Sequence, residues 1–294
     1  MSTYNEPIEM IDKSISSILQ QSYKNIELIV VNDNPTRKDL DQYLSELRIK
    51  NNCIIYLKNE INIGLVGSLN RALSVVQGDY IARMDADDSS DFKRLEKQLK
   101  FLTENNLDIV GSEVTLINEL DEEIGSISCP STFDRILDYY NYGSCLFHPT
   151  WLLKKSVYDA LDGYRNIQAC EDFDFMLRAF DMGFKAGNVT EKLLRYRVRK
   201  DGISVSLEAN QKLITYYLQK NRYRIQDVSV EIINEYTSSK EFKNNLILMN
   251  RYIEAKNSFK ISRKMDVIEL VCLIFNKYFY INVFNSFKRK MHSS

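Results

Sequence analysis

At 294 residues the chain is long enough to bury a full core, as one large domain or two modest ones. Hydrophobic residues at 44% and charged residues at 27% fit an ordinary folded protein, and a formal charge of -1 argues against nucleic acid as a partner, because phosphate-tracking proteins carry excess Lys and Arg. Five scattered cysteines (Cys53, Cys129, Cys145, Cys170, Cys272) without a C-x-x-C pair fit reduced thiols in a cytosolic protein better than a disulfide framework. With only His148 and His292 no His-rich zinc site can be built, so a bound metal must lean on carboxylates, which favours Mg²⁺ or Mn²⁺. No secretory leader and no run of about 18 apolar residues is visible, so a cytoplasmic location is expected.

The first half alternates strand and helix patterns. Ile8, Ile11, Ile15, Ile18 and Leu19 recur at helical spacing, and Ile26 to Val31 is a β-branched run that ends in the turn Asn32-Asp33-Asn34-Pro35. Leu40, Tyr43, Leu44 and Leu47 mark a second helix, Ile54 to Leu57 a strand, and Val66 to Val76 a helix closed by Gly78. Tyr80 to Met84 reads as a strand whose next residue is Asp85. A helix through Leu95, Leu99 and Leu102 follows, then a strand from Ile109 and a hairpin within 111–130. The apolar positions return to helical spacing from Phe173 to Phe180, and Lys192 to Val198 is a last strand. This order predicts an α/β fold with a mostly parallel sheet flanked by helices over residues 1–206. Beyond Ser206 only helices are predicted, so residues 207–294 read as a separate C-terminal helical region. The segment Met1 to Pro7 looks like the end of a strand and its turn, with the strand itself nearly absent.

Ligands of open parallel sheets bind beyond the carboxyl ends of the strands. Thr3-Tyr4-Asn5, Asp33 and Asp85-Ala86-Asp87-Asp88 all fall there. Three acids in four residues repel one another, and a divalent cation bridging phosphate oxygens would offset that charge; a solvated acidic loop or a helix cap is the structural alternative. In Cys170-Glu171-Asp172-Phe173-Asp174-Phe175, acids precede a helix. They either complement its dipole, or they supply Asp172 as a general base for an acceptor hydroxyl.

These motifs, in this order, resemble the family 2 glycosyltransferases of the GT-A fold over about residues 1–206. The resemblance rests on Ser2-Thr3-Tyr4-Asn5-Glu6, Ile15-x-x-Ile18-Leu19-x-Gln21-Ser22-Tyr23, Val31-Asn32-Asp33, Asn62-Ile63-Gly64, Ser68-Leu69-Asn70, Ala82-Arg83-Met84-Asp85-Ala86-Asp87-Asp88, His148-Pro149-Thr150 and Glu171-Asp172. It implies an inverting enzyme that takes a nucleotide-sugar, a UDP-sugar above others, and extends a glycan or lipid-linked saccharide of a bacterial surface polysaccharide. Thr3, Tyr4, Glu6 and Asp33 would line the base, Asn62, Arg83, Asp85 and Arg199 would face the nucleotide-sugar, and Arg94 is a further diphosphate candidate. Asp85 and Asp87 would hold Mn²⁺ or Mg²⁺ with Asp88 assisting and His148 as a further ligand, while Asp172 would be the base and Glu171 its neighbour. Relatives carry several apolar residues ahead of the Ser-Thr-Tyr-Asn segment, so here the chain begins short or the base pocket rests on a shortened strand. Some also place a His near position 199, where Arg199 can pair with a diphosphate but cannot ligate a cation.

In the tail, Val267 to Phe275 and Tyr278 to Phe284 precede Lys288-Arg289-Lys290. That pattern suggests peripheral contact with an anionic membrane, against core packing or a dimer interface. Two other classes remain at this level. One is a non-catalytic nucleotide-sugar-binding relative. The other is a sugar-phosphate nucleotidyltransferase, disfavoured because residues 1–20 lack a glycine loop.

Overall fold

The computed structural model describes residues 1–199, 202, 206–262 and 276–293. Two sheets form its centre. The first is wholly parallel, in the order β1 (Ser2–Thr3), β2 (Leu28–Asn32), β3 (Ile54–Lys58). Every residue of β2 is buried because helices cover both faces. Leu28 and Val30 pack with Ile11, Ile15 and Ile18 of α1 (Ile8–Leu19) and with Leu40 and Leu44 of α2 (Lys38–Lys50). Ile29 and Val31 turn to the other face, against Ala72 of α3 (Gly64–Leu73). The period of two along the strand decides which helix each side chain meets.

The second sheet is mixed. Its path is β4 (Tyr80–Ala82), β8 (Leu152–Lys154), β6 (Ile109–Ile117), β9 (Ala186–Arg197) and β5 (Ser89–Ser90), with β7 (Glu123–Ile127) on β6. Only β6 and β9 run parallel here; the other pairs are antiparallel. The expected α/β architecture with flanking helices is present, and its parallel pairing is concentrated in the N-terminal half. The predicted hairpin is β6–β7. Three elements had no clear sequence signal: α5 (Phe133–Tyr139), the short β8, and α6 (Lys155–Leu161) directly after it. Each is too short for periodicity to identify. The remaining helices of this half are α4 (Arg94–Glu104) and α7 (Glu171–Asp181).

After residue 206 come α8 (Glu208–Lys220), α9 (Val230–Ser238), α10 (Lys240–Ser262) and α11 (Lys277–Ser293). They do not build a core of their own. Leu213, Ile214, Leu218, Ile225, Phe242, Met249 and Tyr278 belong to the same buried cluster as Ile109, Trp151, Phe175 and Leu177. The expected apolar run Val267 to Phe275 lies outside the described residues. No described helix is long and apolar enough to cross a membrane.

One close approach locks the second sheet. A Cβ on Gly111 of β6 would sit 2.3 Å from the Asn188 Oδ1 of β9. The Asn188 amide donates to the carbonyls of Pro130 (2.9 Å) and Cys145 (3.1 Å), so it cannot swing aside freely. Gly111→Ala is therefore expected to lower stability by about 1–3 kcal/mol, the usual cost of overpacking, read as a lower urea midpoint with an unchanged slope.

Candidate active site

The acidic turn after β4 is held from three sides. From α1, the Ser14 hydroxyl donates to the Asp85 carbonyl at 2.8 Å. From β9, Arg197 donates through Nε to the Asp87 carbonyl at 2.8 Å, and its backbone N–H donates to Asp88 Oδ1 at 2.8 Å. Beneath the turn, Arg83 pairs with the Asp85 carboxylate and the Met84 carbonyl, while its N–H bonds to the Trp151 carbonyl at 2.8 Å. Arg83 is buried, so it acts on the site through Asp85. Arg94 is likewise no surface residue: it is fully buried, and its two terminal nitrogens donate to the carbonyls of Pro149 and Arg83. Burial pushes its guanidinium down to about 10. This removes Arg94 from the diphosphate candidates.

Asp33 stands at the end of β2, beside Thr3 of β1. Its N–H donates to the Thr3 carbonyl at 2.9 Å, which fixes the end of β2 against β1. Asp33 Oδ1 accepts from the Asn59 amide (2.7 Å) and the Ile63 N–H (2.9 Å). Asn62 Oδ1 accepts from the Gly64 N–H at the start of α3, where the φ of Gly64 is +77°. Thr3 Oγ1 and the Tyr4 N–H both donate to Glu6 Oε2 at 2.8 Å, and the Tyr4 ring is exposed beside them.

The second acidic pair stands at the N-terminus of α7. Asp172 Oδ1 accepts from the Phe173 N–H at 2.7 Å, while Asp174, one turn in, is fully buried between Arg165 and Arg178. Arg178 also donates to the carbonyls of Leu161 and Gly163. Asp174 is thus an anchor of this helix rather than part of the reacting set. Before it, Ala169 adopts φ 57°, a left-handed conformation that costs a non-glycine residue about 1–2 kcal/mol. The Gln211 amide of α8 holds its carbonyl at 2.8 Å.

Electrostatics show that these groups converge. Burial, then the charges of Asp85 and Glu6, pushes Asp87 up to about 6, with Arg199 (3.7 Å away) opposing. Asp88 is raised well above the carboxylate range by burial and by Asp85 and Asp87, and its Oδ2 has no hydrogen-bond partner. Glu171 is pushed up to about 8, by burial and then by Asp172. Asp172 is raised to about 6, chiefly by burial, with Asp85 adding and Arg83 opposing. Acids from two distant sequence segments therefore feel one another, and the adjacent carboxylates of α7 are pushed apart in acidity. That is how one site comes to hold a protonated and an ionised carboxyl at neutral pH.

His148 is not where a third metal ligand would stand. Its Nε2 is bonded to the Tyr164 hydroxyl at 2.8 Å, the ring packs on Trp151, and burial lowers its pKa well below the usual histidine value. Among the described residues no three His, Cys, Asp or Glu side chains group into a cage. Asp85 and Asp87 suit a hard cation as a partial donor set, completed by phosphate oxygens and water, and the unneutralised charge that raises Asp87 is what such a cation would offset. Sequence reasoning missed Ser14, Arg165, Asp174 and Arg197. Only Arg197 carried a signal, lying in the predicted strand Lys192 to Val198 two residues before Arg199.

Comparison with known proteins gives the same answer. Residues 1–162 match the family described as Glycosyl transferase family 2. The O-antigen biosynthesis glycosyltransferase WbnJ of Escherichia coli is 33% identical over 216 residues, covering 71% of this chain and 83% of its own. Among solved structures, S. aureus TarS 1-349 in complex with UDP-GlcNAc superposes with a TM-score of 0.59 at 17% identity, over 92% of this chain and 76% of that one. The mannosyltransferase PcManGT of Pyrobaculum calidifontis, in complex with GDP-Man and Mn²⁺, gives 0.59 at 16% identity, over 99% and 82%. The fold is that of the GT-A glycosyltransferases, and the chain belongs to glycosyltransferase family 2.

Proposed function

We propose that this glycosyltransferase moves a sugar from a UDP-sugar to a hydroxyl of a glycan or lipid-linked saccharide during assembly of a surface polysaccharide, in a single inverting displacement. The observation that carries the reading is the convergence of the Asp85–Asp87 pair with Glu171–Asp172 beyond the strand ends. The name of WbnJ supports the surface-glycan setting, and the UDP-GlcNAc bound to TarS supports the donor class.

In this reading Asp33, Thr3, Tyr4 and Glu6 receive the base, with Asn62 at the mouth of α3. Asp85 and Asp87 hold Mn²⁺ or Mg²⁺, which supplies Lewis-acid neutralisation of the departing diphosphate. Arg199 adds a fixed positive charge beside Asp87. Asp172 takes the proton of the acceptor hydroxyl as that oxygen bonds to the anomeric carbon and the bond to the diphosphate oxygen breaks. Glu171, protonated at neutral pH, donates a hydrogen bond to the sugar or acceptor. The two catalytic contributions separate by mutation. Asp172→Asn should cut kcat by about 10²–10⁴-fold with nucleotide binding intact. Asp87→Ala should abolish the Mn²⁺-dependent part of UDP binding, seen by calorimetry. An Asp172→Asn enzyme of full activity would sink the assignment.

The pH dependence has a definite sign. The active form of Asp172 is ionised and its pKa is raised to about 6, so kcat/KM should fall as pH drops through about 6. The useful form of Glu171 is protonated, so a second decline should begin near pH 8 and vanish in Glu171→Gln. A profile whose alkaline limb survives that substitution would remove Glu171 from the reaction.

We further propose peripheral contact with anionic lipid through α11. Tyr280, Val283, Phe284, Phe287 and Met291 are exposed at helical spacing, and Lys288 lies over the Phe284 ring. Such a stripe beside basic residues binds an anionic interface by buried area and by charge. Vesicles containing phosphatidylglycerol should carry the chain upward in flotation at low salt, and Phe284→Ser with Phe287→Ser should release it. Equal flotation of both proteins would refute the contact.

A further inference from the structure

A cavity of about 360 Å³ lies where α1, β5, the end of β9 and the β6–β7 turn meet. Its charge is one-sided. Among its lining residues Lys13, Arg195 and Arg197 are cationic, and Asp121 is the one anion. All three cations reach that residue: Lys13 and Arg197 pair with its carboxylate, and Arg195 Nη2 donates to its carbonyl at 2.9 Å. Lys13 first and then Arg197 hold the Asp121 carboxyl below the usual carboxylate range. One carboxylate cannot offset three cations, so the cavity keeps an excess of positive charge.

The inner wall is fixed by its own bonds. Ser17 Oγ donates to the Ser14 carbonyl at 2.7 Å and accepts from the Ser90 N–H at 3.0 Å. Arg197 donates to the carbonyls of Asp87 (2.8 Å) and Asn118 (2.7 Å). The outer wall is different. Ser16 and Gln20, one turn apart on α1, and Ser89 of β5 line the cavity with side-chain polar groups that no other described residue engages. Phe92 adds a ring that is 55% exposed, an unusual place for a large apolar group beside so many polar ones.

These features select a ligand chemistry. The uncompensated cations call for an anionic group, and charge-assisted bonds to Lys and Arg are the strong ones. Hydroxyls and an amide that can both donate and accept suit ligand hydroxyls. An exposed aromatic ring suits a flat apolar face, such as the C–H face of a pyranose. A sugar ring that carries a carboxylate or phosphate unites all three. Small-molecule pockets run from about 300 to 1,000 Å³, so this one, at the small end, suits one pyranose better than a whole nucleotide-sugar.

We propose that this cavity is a second saccharide site, which takes one acidic sugar unit, a uronate or a phosphorylated pyranose. The acid group lies between Lys13 and Arg195, the ring packs on Phe92, and the hydroxyls bond to Ser16, Gln20 and Ser89. None of Thr3, Asp33, Asp85 or Asp172 lines the cavity, so it is separate from the donor position assigned above. Arg197 joins the two places, since it forms a wall here and holds the Asp87 carbonyl there. The site stands on its own residues and does not depend on the donor or acceptor of the proposed reaction.

The test titrates the full chain, without donor or metal, with glucuronate, glucose 1-phosphate, glucose and inorganic phosphate, and follows amide chemical shifts. At least one of the acidic sugars should move the signals of Ser16, Ser89 and Phe92 and bind about tenfold or more tighter than glucose. Tighter binding of glucuronate names an acid of a glycan as the source, and tighter binding of glucose 1-phosphate names a free sugar phosphate. Lys13→Gln with Arg195→Gln should weaken that binding by about tenfold or more at an unchanged Tm. Phe92→Ser, which touches no ion pair, should weaken it as well and serves if the double variant fails to fold. Saturating UDP with Mn²⁺ should leave the binding in place. Absence of shifts at the cavity with both acidic sugars overturns the proposal, as does binding that neither variant weakens. Equal binding by glucose, or by inorganic phosphate alone, overturns it too, the latter by leaving only an ion site. Displacement by UDP would move the ligand to the donor position and likewise overturn it. Should UDP itself fail to bind, the donor reading fails and the two variants still decide this one.

Discussion

The structure is organised around a concentration of negative charge that the protein cannot neutralise by itself. Glu6, Asp85, Asp87, Asp88, Glu171 and Asp172 are brought within electrostatic reach of one another, several of them buried. Burying an ionised carboxylate without a partner is expensive, so such groups rise in pKa or wait for a cation. Both answers are built in. The shifts of Glu171 and Asp88 record the first, and the half-exposed pair Asp85 and Asp87 leaves room for the second.

The surrounding scaffold limits this charge without cancelling it. Arg83 compensates Asp85 from below, Arg197 holds the turn mainly through backbone carbonyls and an N–H, and Arg199 approaches Asp87 from the side. Arg83 Nε and Arg94 Nε are buried without hydrogen-bond partners, as is Asp88 Oδ2. A core chosen for stability alone would satisfy these atoms. Stability and ligand binding are then linked, because whatever offsets the charge binds the folded state and not the unfolded one.

Much of this was legible in the sequence, for identifiable reasons. The buried strand β2 and helices α1 and α2 announce themselves through β-branched runs and spacing of apolar residues, and the acids were visible because Asp-Ala-Asp-Asp after a strand is an unusual place for charge. What was not legible depends on tertiary contact. Asp174 looks like one more acid in Glu171-Asp172-Phe173-Asp174, yet two arginines from other turns make it structural. His148 sits in a suggestive His-Pro-Thr segment, yet Tyr164, sixteen residues on, takes its ring nitrogen. Arg94 resembled a surface helix residue because spacing cannot reveal that the carbonyls of Arg83 and Pro149 take its guanidinium.

The C-terminal helices illustrate the same dependence at the scale of the fold. Helical periodicity alone separates residues 207–294 from what precedes them, but the contacts of the described helices tie them to the turn before α7. Gln211 of α8 secures the strained Ala169, and Cys170 Sγ reaches the Gln211 carbonyl, so α8 buttresses the turn that presents Glu171 and Asp172. Tyr140 of the α5 segment stacks on Phe173 at 5.2 Å, and Gln219 of α8 donates to the Tyr140 carbonyl. From α11, Arg289 packs against Gly143 and Phe284 meets Tyr142 edge-on at 6.2 Å. A chain of packed groups thus runs from the exposed stripe of α11 through α5 and α8 to the turn that carries Glu171 and Asp172. Glu171 and Asp172 thus rest on these helices, whereas Thr3, Asp33 and Asp85 rest on β1, β2 and the acidic turn. Mutations in the helical region should therefore be read first for their effect on Glu171 and Asp172 and only second for their effect on overall stability.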